Sequence, residues 1–169
     1  MFLTLDKFKR RVEELGERRY FGHQCLAPFT SMEGSLPEDE SYHELPEKIE
    51  GPDFGINDSF IGRDRYLWLE KTVKIPEAKE GCEVAGLEGG GKHRTFFHQC
   101  KQADVVYLHK KTDELYYFAR AITETLELLP KDDEKYEDLK GALDREFQCI
   151  NWDEESFYET AETAHDLLM

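Results

Sequence analysis

The 169-residue chain has no long apolar run. The opening "MFLTLDKFKRRVEELG" contains no uninterrupted hydrophobic core of the kind a secretory signal needs. Nor does any stretch approach the length of a membrane span. Cysteine is sparse: Cys25, Cys82, Cys100 and Cys149 are scattered, without the density of a disulfide scaffold. Free thiols in a reducing cytoplasm are the expectation. Cations are also scarce, with 22 Lys and Arg against 37 Asp and Glu, for a net charge of −15. Such a balance repels phosphate at long range, so neither nucleic acid nor an anionic membrane is an expected partner.

Aromatic residues are plentiful. Eleven Phe, eight Tyr and two Trp predict a core lined with rings. The residues fall into three stretches, 1–62, 63–108 and 109–169.

In the first, Leu5, Phe8, Val12 and Leu15 recur at helical spacing, Thr4 is placed to cap the start, and Gly16 is expected to stop the helix. Its opposite face carries Lys7, Lys9, Arg10 and Arg11. From Ala27 to Gly62, prolines at 28, 37, 46 and 52, four glycines and the run "PEDE" predict an irregular arm, pinned by Phe29, Tyr42, Leu45 and Phe54. An arm of this length is usually functional or interfacial.

The second stretch reads as sheet. In "YLWLEKTVKIP", Leu67, Leu69, Val73 and Ile75 fall on one face and Tyr66 and Trp68 on the other, with Pro76 ending the ladder. "CEVAG", "RTFFHQC" and "ADVVYLH" are expected as three further strands. The third stretch is helical. One helix is expected from a Thr112 cap, burying Leu115, Phe118, Ile122, Leu126 and Leu129 and closing at Pro130. A second starts at Asp132 or Asp133 with the stripe Tyr136, Leu139, Leu143 and Phe147. A third opens at Asp153 and aligns Phe157, Ala161, Ala164 and Leu168. It has no C-cap, and a chain stopping in mid-stripe is expected to be a fragment of something longer.

Two motifs raise chemical questions. "FGHQC" at 21–25 and "FFHQC" at 96–100 hold His23, Cys25, His98 and Cys100, a two-His, two-Cys donor set for zinc. Structural zinc loops separate paired ligands by two to four residues, however, and these have one between them. Copies separated by an arm have no evident reason to meet, and no third residue is placed to orient a Cys–His nucleophile. The expected role is packing. "GLEGGGK", Gly86 to Lys92, matches the start of a phosphate-cradling loop. His93 then stands where a magnesium-binding hydroxyl is required, and strand-like residues follow where a helix must begin. A glycine turn between strands is the expectation. Carboxylate pairs among 37 acids carry no information of their own.

"LWLEKTVKIPEAKEGCEVAG" resembles the opening strands of the β-sandwich that precedes the catalytic domain in zinc-dependent α-mannosidases of glycoside hydrolase family 38. Trp68, Val73, Ile75, Pro76 and Gly81 fill the matching places. "ADVVYLHKKTDELYYFARAITETLELL" resembles the strand and helix leading toward the catalytic barrel, and the opening helix is similar to the bacterial, cytoplasmic branch. The similarity runs from the first helix to the last. Family members insert several strands between segments like "GCEVAG" and "GLEGGGK", whereas here Ala85 passes straight to Gly86.

The family's zinc is held by an H-x-D pair with further Asp and His ligands, and an Asp is the nucleophile of a retaining reaction. None of His23, His43, His93, His98, His109 and His165 starts an H-x-D. In the family that motif lies beyond the equivalent of Met169, so no catalytic, cofactor or metal residue is carried over.

The resemblance implies an α+β fold: a partial antiparallel, jelly-roll-like β-sandwich with an N-terminal helix and a C-terminal helical segment packed on it. It implies a scaffold role in an enzyme that hydrolyses terminal α-mannosidic bonds, with zinc in the parent enzyme and none bound by this fragment. The implied partners are the downstream catalytic domain, the α-mannoside substrate of the parent and a second subunit in a homo-oligomer. The alternative is a stand-alone interaction or carbohydrate-binding module, with Tyr66 and Trp68 stacking on sugar.

Overall fold

The computed structural model describes residues 4–35, 46–61, 65–90, 97–153 and 155–168. Its elements, in chain order, are α1 (Leu5–Arg18), β1 (Tyr20–Cys25), β2 (Phe29–Ser35), β3 (Asp53–Phe54), β4 (Ser59–Ile61), β5 (Arg65–Glu70), β6 (Cys82–Gly90), β7 (Phe97–His109), α2 (Lys110–Leu128), α3 (Glu134–Cys149) and α4 (Phe157–Leu168). Among the described residues, four helices and two small antiparallel sheets make a mixed α+β fold. The residues divide into two compact units. One comprises 1–21, 78–83 and 107–169, and the other 22–77 and 84–106.

The first unit is built on the four helices. Phe8, Leu15, Leu115, Leu143 and Phe157 are at most 1% exposed and form its centre. Burial of each such side chain stabilises the fold by about 1.5–3 kcal/mol before chain entropy is set against it. Rings lock the packing. Phe147 meets Phe8 at 5.9 Å and Trp152 edge-on at 5.6 Å, while Trp152 Nε1 donates to the Phe147 carbonyl at 3.0 Å. The Arg11 guanidinium lies 4.2 Å above the Trp152 ring, covering it from solvent.

Several helix boundaries differ from expectation for identifiable reasons. Gly16 lies inside α1, which runs on to Arg18. A Cβ at Gly16 would stand 3.0 Å from Tyr116 Cε2, so the glycine serves close packing, not termination. Thr4 occupies the N-cap position without a side-chain cap bond. In α2 the N-cap is His109, and Thr112 sits in the first turn, wholly buried. Phe118 is 40% exposed because the buried line steps from Leu115 through Ala119 and Thr123 to Leu126. The start of α3 is as expected, with Asp133 accepting from the Lys135 amide at 2.8 Å. α4 starts at Phe157 rather than Asp153. The Asn151 side chain accepts from the Asp153 amide and donates to Ser156 Oγ, holding a side-chain-bonded turn ahead of the helix.

The second unit departs further from the expected irregular arm. β2 pairs antiparallel with β5 from Thr30↔Glu70 to Ser35↔Arg65, and with β3 at Phe29↔Phe54. β4 pairs with β7 from Ser59↔Gln99 to Ile61↔Phe97, and β1 and β6 also pair with β7. Prolines thus flank the strands without abolishing them. Phe29 and Phe54 pin one another as cross-strand partners, while Tyr42 and Leu45 lie outside the described residues. β5 ends at Glu70, leaving Val73 37% and Ile75 68% exposed. Its partner strand starts just after Pro28, which has no N–H to extend the ladder; Lys71 Nζ instead donates to the Pro28 carbonyl at 3.0 Å. "FHQCKQADVVYLH" forms one strand, not two, because Lys101 and Gln102 supply no turn chemistry.

Candidate functional site

The two His-Gln-Cys copies lie on neighbouring strands, β1 and β7, of one sheet. The intervening arm therefore does bring their strands side by side, contrary to expectation. The register still separates the donors. The Leu26 amide donates to the Ala103 carbonyl at 2.8 Å, so the end of β1 is level with residues past the second copy. Cys100 lies three residues before Ala103, about 10 Å along an extended strand.

Packing is not the role of the first copy. His23 has a 46% exposed side chain and Cys25 is exposed. His23 Nδ1 is 3.1 Å from Asp104 Oδ2, and Gln102 Nε2 donates to the same oxygen at 3.0 Å. The Gln102 bond and then the His23 bond hold the Asp104 carboxyl below its usual range, against desolvation. In the second copy, Cys100 is half-buried, its amide donating to the Asp58 carbonyl. The His98 side chain lies outside the described residues.

Among the described residues, no three His, Cys, Asp or Glu side chains gather closely enough to hold a metal ion. The "GLEGGGK" stretch is likewise not a turn over its described part. Residues up to Gly90 continue β6 as extended strand, and Gly91 and Lys92 lie outside the described residues. An extended backbone alternates its N–H groups, whereas a phosphate cradle converges them.

In the second unit a cavity of about 370 Å³ is lined by Met32, Phe54 and Phe60 together with Glu33, Glu50 and Asp53. Its wall is fixed by backbone contact. Ser31 donates from both its amide and its hydroxyl to the Pro52 carbonyl, at 3.0 and 2.6 Å. A Cβ at Gly51 would meet the Ser31 carbonyl oxygen at 2.1 Å, so only glycine fits there. Trp68, on β5, is half-buried opposite Met32, and the Tyr66 side chain lies outside the described residues.

In the first unit, α2 turns Tyr117, Ala121, Thr125 and Leu128 to one outer face, with Phe118 at its edge. Tyr117 is 55% exposed and Leu128 is 86% exposed, large apolar groups that the unit's own core leaves uncovered.

Sequence reasoning missed the buried polar groups of this unit. His109 is 6% exposed and bridges α2 and α4, with Nε2 3.2 Å from Glu162 Oε1. Burial pushes its pKa below the ordinary histidine value and Lys111 adds to the effect, while Glu162 opposes it. His165 is 7% exposed, with Nε2 2.7 Å from Glu114 Oε2 and Nδ1 3.1 Å from Asp166 Oδ1. Glu146 is 6% exposed and its Oε2 has no hydrogen-bond partner among the described residues. Burial pushes its pKa up to about 7, against the opposing charge of Arg145. The sequence signal for His109 is H-x-x-T at the strand-to-helix junction, which puts an acceptor three residues before Thr112.

No protein-family model matches the chain, and no curated protein matches it either.

Proposed function

We propose that the chain is the N-terminal, non-catalytic scaffold portion of a cytoplasmic, zinc-dependent, retaining α-mannosidase that hydrolyses terminal α-mannosidic bonds. The observation that carries this reading is the outer face of α2. This helix holds the "ELYYFA" segment of the family resemblance, and it buries Leu115 and Ala119 while presenting Tyr117 and Phe118 outward. Exposed apolar rings and leucine on one helix face suit a seat for a further domain. The zinc and the nucleophile belong to the downstream catalytic domain, and this chain's residues supply the platform and no chemical step. A homo-oligomer would use the same kind of surface.

The test is to append the downstream coding segment. The extended protein should hydrolyse an aryl α-mannoside and lose that activity to a zinc chelator, while the 169-residue chain alone should show no turnover. Tyr117→Ser with Phe118→Ser should lower activity of the extended protein while leaving the helical unit folded. Turnover by the short chain, or an extended protein without mannosidase activity, would overturn the reading.

The cavity in the second unit favours the alternative of a carbohydrate-binding module. Carboxylates that accept from hydroxyls, beside aromatic and aliphatic walls that meet C–H faces, match the two-sided chemistry of a sugar ring. Calorimetry with methyl α-mannoside decides between the two: saturable heat that Phe60→Ala abolishes supports binding, and no heat up to millimolar sugar removes it.

A further inference from the structure

We infer that His109 is a proton-sensitive N-cap, through which acidification loosens the first turn of α2. The geometry fixes the tautomer. Nε2 faces a carboxylate oxygen of Glu162 at 3.2 Å, and a carboxylate only accepts, so the ring proton sits on Nε2. Nδ1 is then a bare acceptor, and it receives the Thr112 backbone N–H at 3.3 Å and contacts Thr112 Oγ1 at 2.8 Å. N-caps are usually Ser, Thr, Asp or Asn, whose oxygens accept throughout the neutral range. An imidazole caps through its Nδ1 lone pair, which protonation removes. The Nδ1–H of the charged ring would confront the Thr112 amide, and its charge would oppose the positive end of the helix dipole.

Charged and titratable groups reach the ring from several elements. From α2 comes Lys111, which also reaches Glu162 and Asp166. From α4 come Glu162 and the Tyr158 ring, tilted against the imidazole with centroids 4.8 Å apart. The 78–83 segment places Cys82 near Tyr158, and α1 receives the Tyr158 hydroxyl bond at the Arg18 carbonyl. Glu162 alone favours the proton, and burial, the largest influence on the ring, outweighs it. A histidine that holds its proton less tightly when folded contributes stability in full above about pH 6.5, and loses it as pH falls through that value toward the lower folded pKa.

Nitrogen-15 NMR of the imidazole in the full chain tests the tautomer directly. The expected result is Nε2–H at pH 8, and an Nδ1–H tautomer would overturn the inference. Hydrogen exchange then reads the consequence. Protection of the Thr112 amide should fall roughly fivefold relative to the Lys135 amide, which Asp133 caps, when pH drops from about 8 to about 5. His109→Asn supplies a cap that does not titrate and should flatten this dependence. An equal fall in the variant would overturn the inference, and should the variant not fold, the tautomer and exchange measurements on the native chain still decide it.

Discussion

The two units reach order by different means. The helical unit buries rings and leucines around a shared centre, with Phe8, Leu15, Leu115, Leu143 and Phe157 all but inaccessible. Among the described residues of the other unit, the buried apolar side chains are smaller in number: Phe60, Ala103, Val105 and Val106. There the definition comes from backbone contacts, such as the Ser31–Pro52 bonds, the Gly51 approach and the Asn57 turn. Asn57 takes a positive φ of 72°, with Asp58 accepting from the Gly55 amide. One unit is held chiefly by side-chain burial and the other chiefly by steric and hydrogen-bond constraints on the main chain. Perturbations of each kind should therefore act on different amides.

The largest effect is expected from the helical centre. Phe147→Ala removes the ring that meets both Phe8 and Trp152, and should cost about 3–5 kcal/mol in urea unfolding. Exchange protection should drop across α1, α3 and α4 while amides of β2 and β5 keep theirs. A uniform loss in both units would break the comparison, since it would mean one cooperative structure. Gly51→Ala is the converse experiment. Its methyl group would overlap the Ser31 carbonyl, and the displacement should cost roughly 1–3 kcal/mol, read as lost protection of the Ser31 amide with helical circular dichroism retained.

Glu146 sharpens the same comparison through pH. It sits on α3 beside the packed stripe, yet one of its oxygens has no partner among the described residues. Its pKa is raised to about 7 when folded, so the unfolded chain releases this proton more readily. Stability from this group is intact below about pH 4.5 and falls as pH rises from there through about 7. Glu146→Gln should therefore match the native protein at pH 4 and exceed it at pH 8, by at most about 3 kcal/mol. Thermal melts at the two pH values read the difference, and equal shifts at both would show that the carboxylate finds a partner. His109 moves in the opposite sense, because its contribution is complete at high pH. The double comparison separates the two groups.

How much of this was legible in the sequence follows from the same division. The helices announced themselves because one buried face recurs at fixed spacing: Phe8, Val12 and Leu15, or Tyr136, Leu143 and Phe147, are both the pattern and the core. Their details failed where tertiary contact overrode local preference, as with Gly16 under Tyr116 and His109 in place of Thr112 as the cap. The strands of the second unit were harder. β2 reads "FTSMEGS", with no alternating apolar face, and it becomes a strand because β5 pairs with it over six residues. Long-range pairing of that kind leaves little trace in either strand alone. The outer face of α2 differs from expectation in one respect, since Phe118 lies outside and Ala119 inside. Exposed and buried positions differ by one residue in a helix rich in rings, and spacing alone does not choose between Phe118 and Ala119.

The smallest expected effect concerns the motif that first suggested chemistry. His23 and Asp104 form an exposed pair, and exposed pairs contribute little because water competes for both partners and salt screens them. The Asp104 carboxyl is held low by Gln102 first and His23 second, so losing the imidazole leaves its main partner in place. A depressed carboxyl contributes stability above its unfolded pKa, near 3.9, and loses it as pH falls through the folded value. His23→Ala should thus change unfolding free energy at pH 7 by less than about 0.5 kcal/mol, and zinc at micromolar concentration should shift the melting of neither protein. A larger loss confined to the variant, or a zinc-induced rise abolished by it, would show that the exposed face of β1 has a binding partner. The two units would then differ in function as well as in the way they are held together.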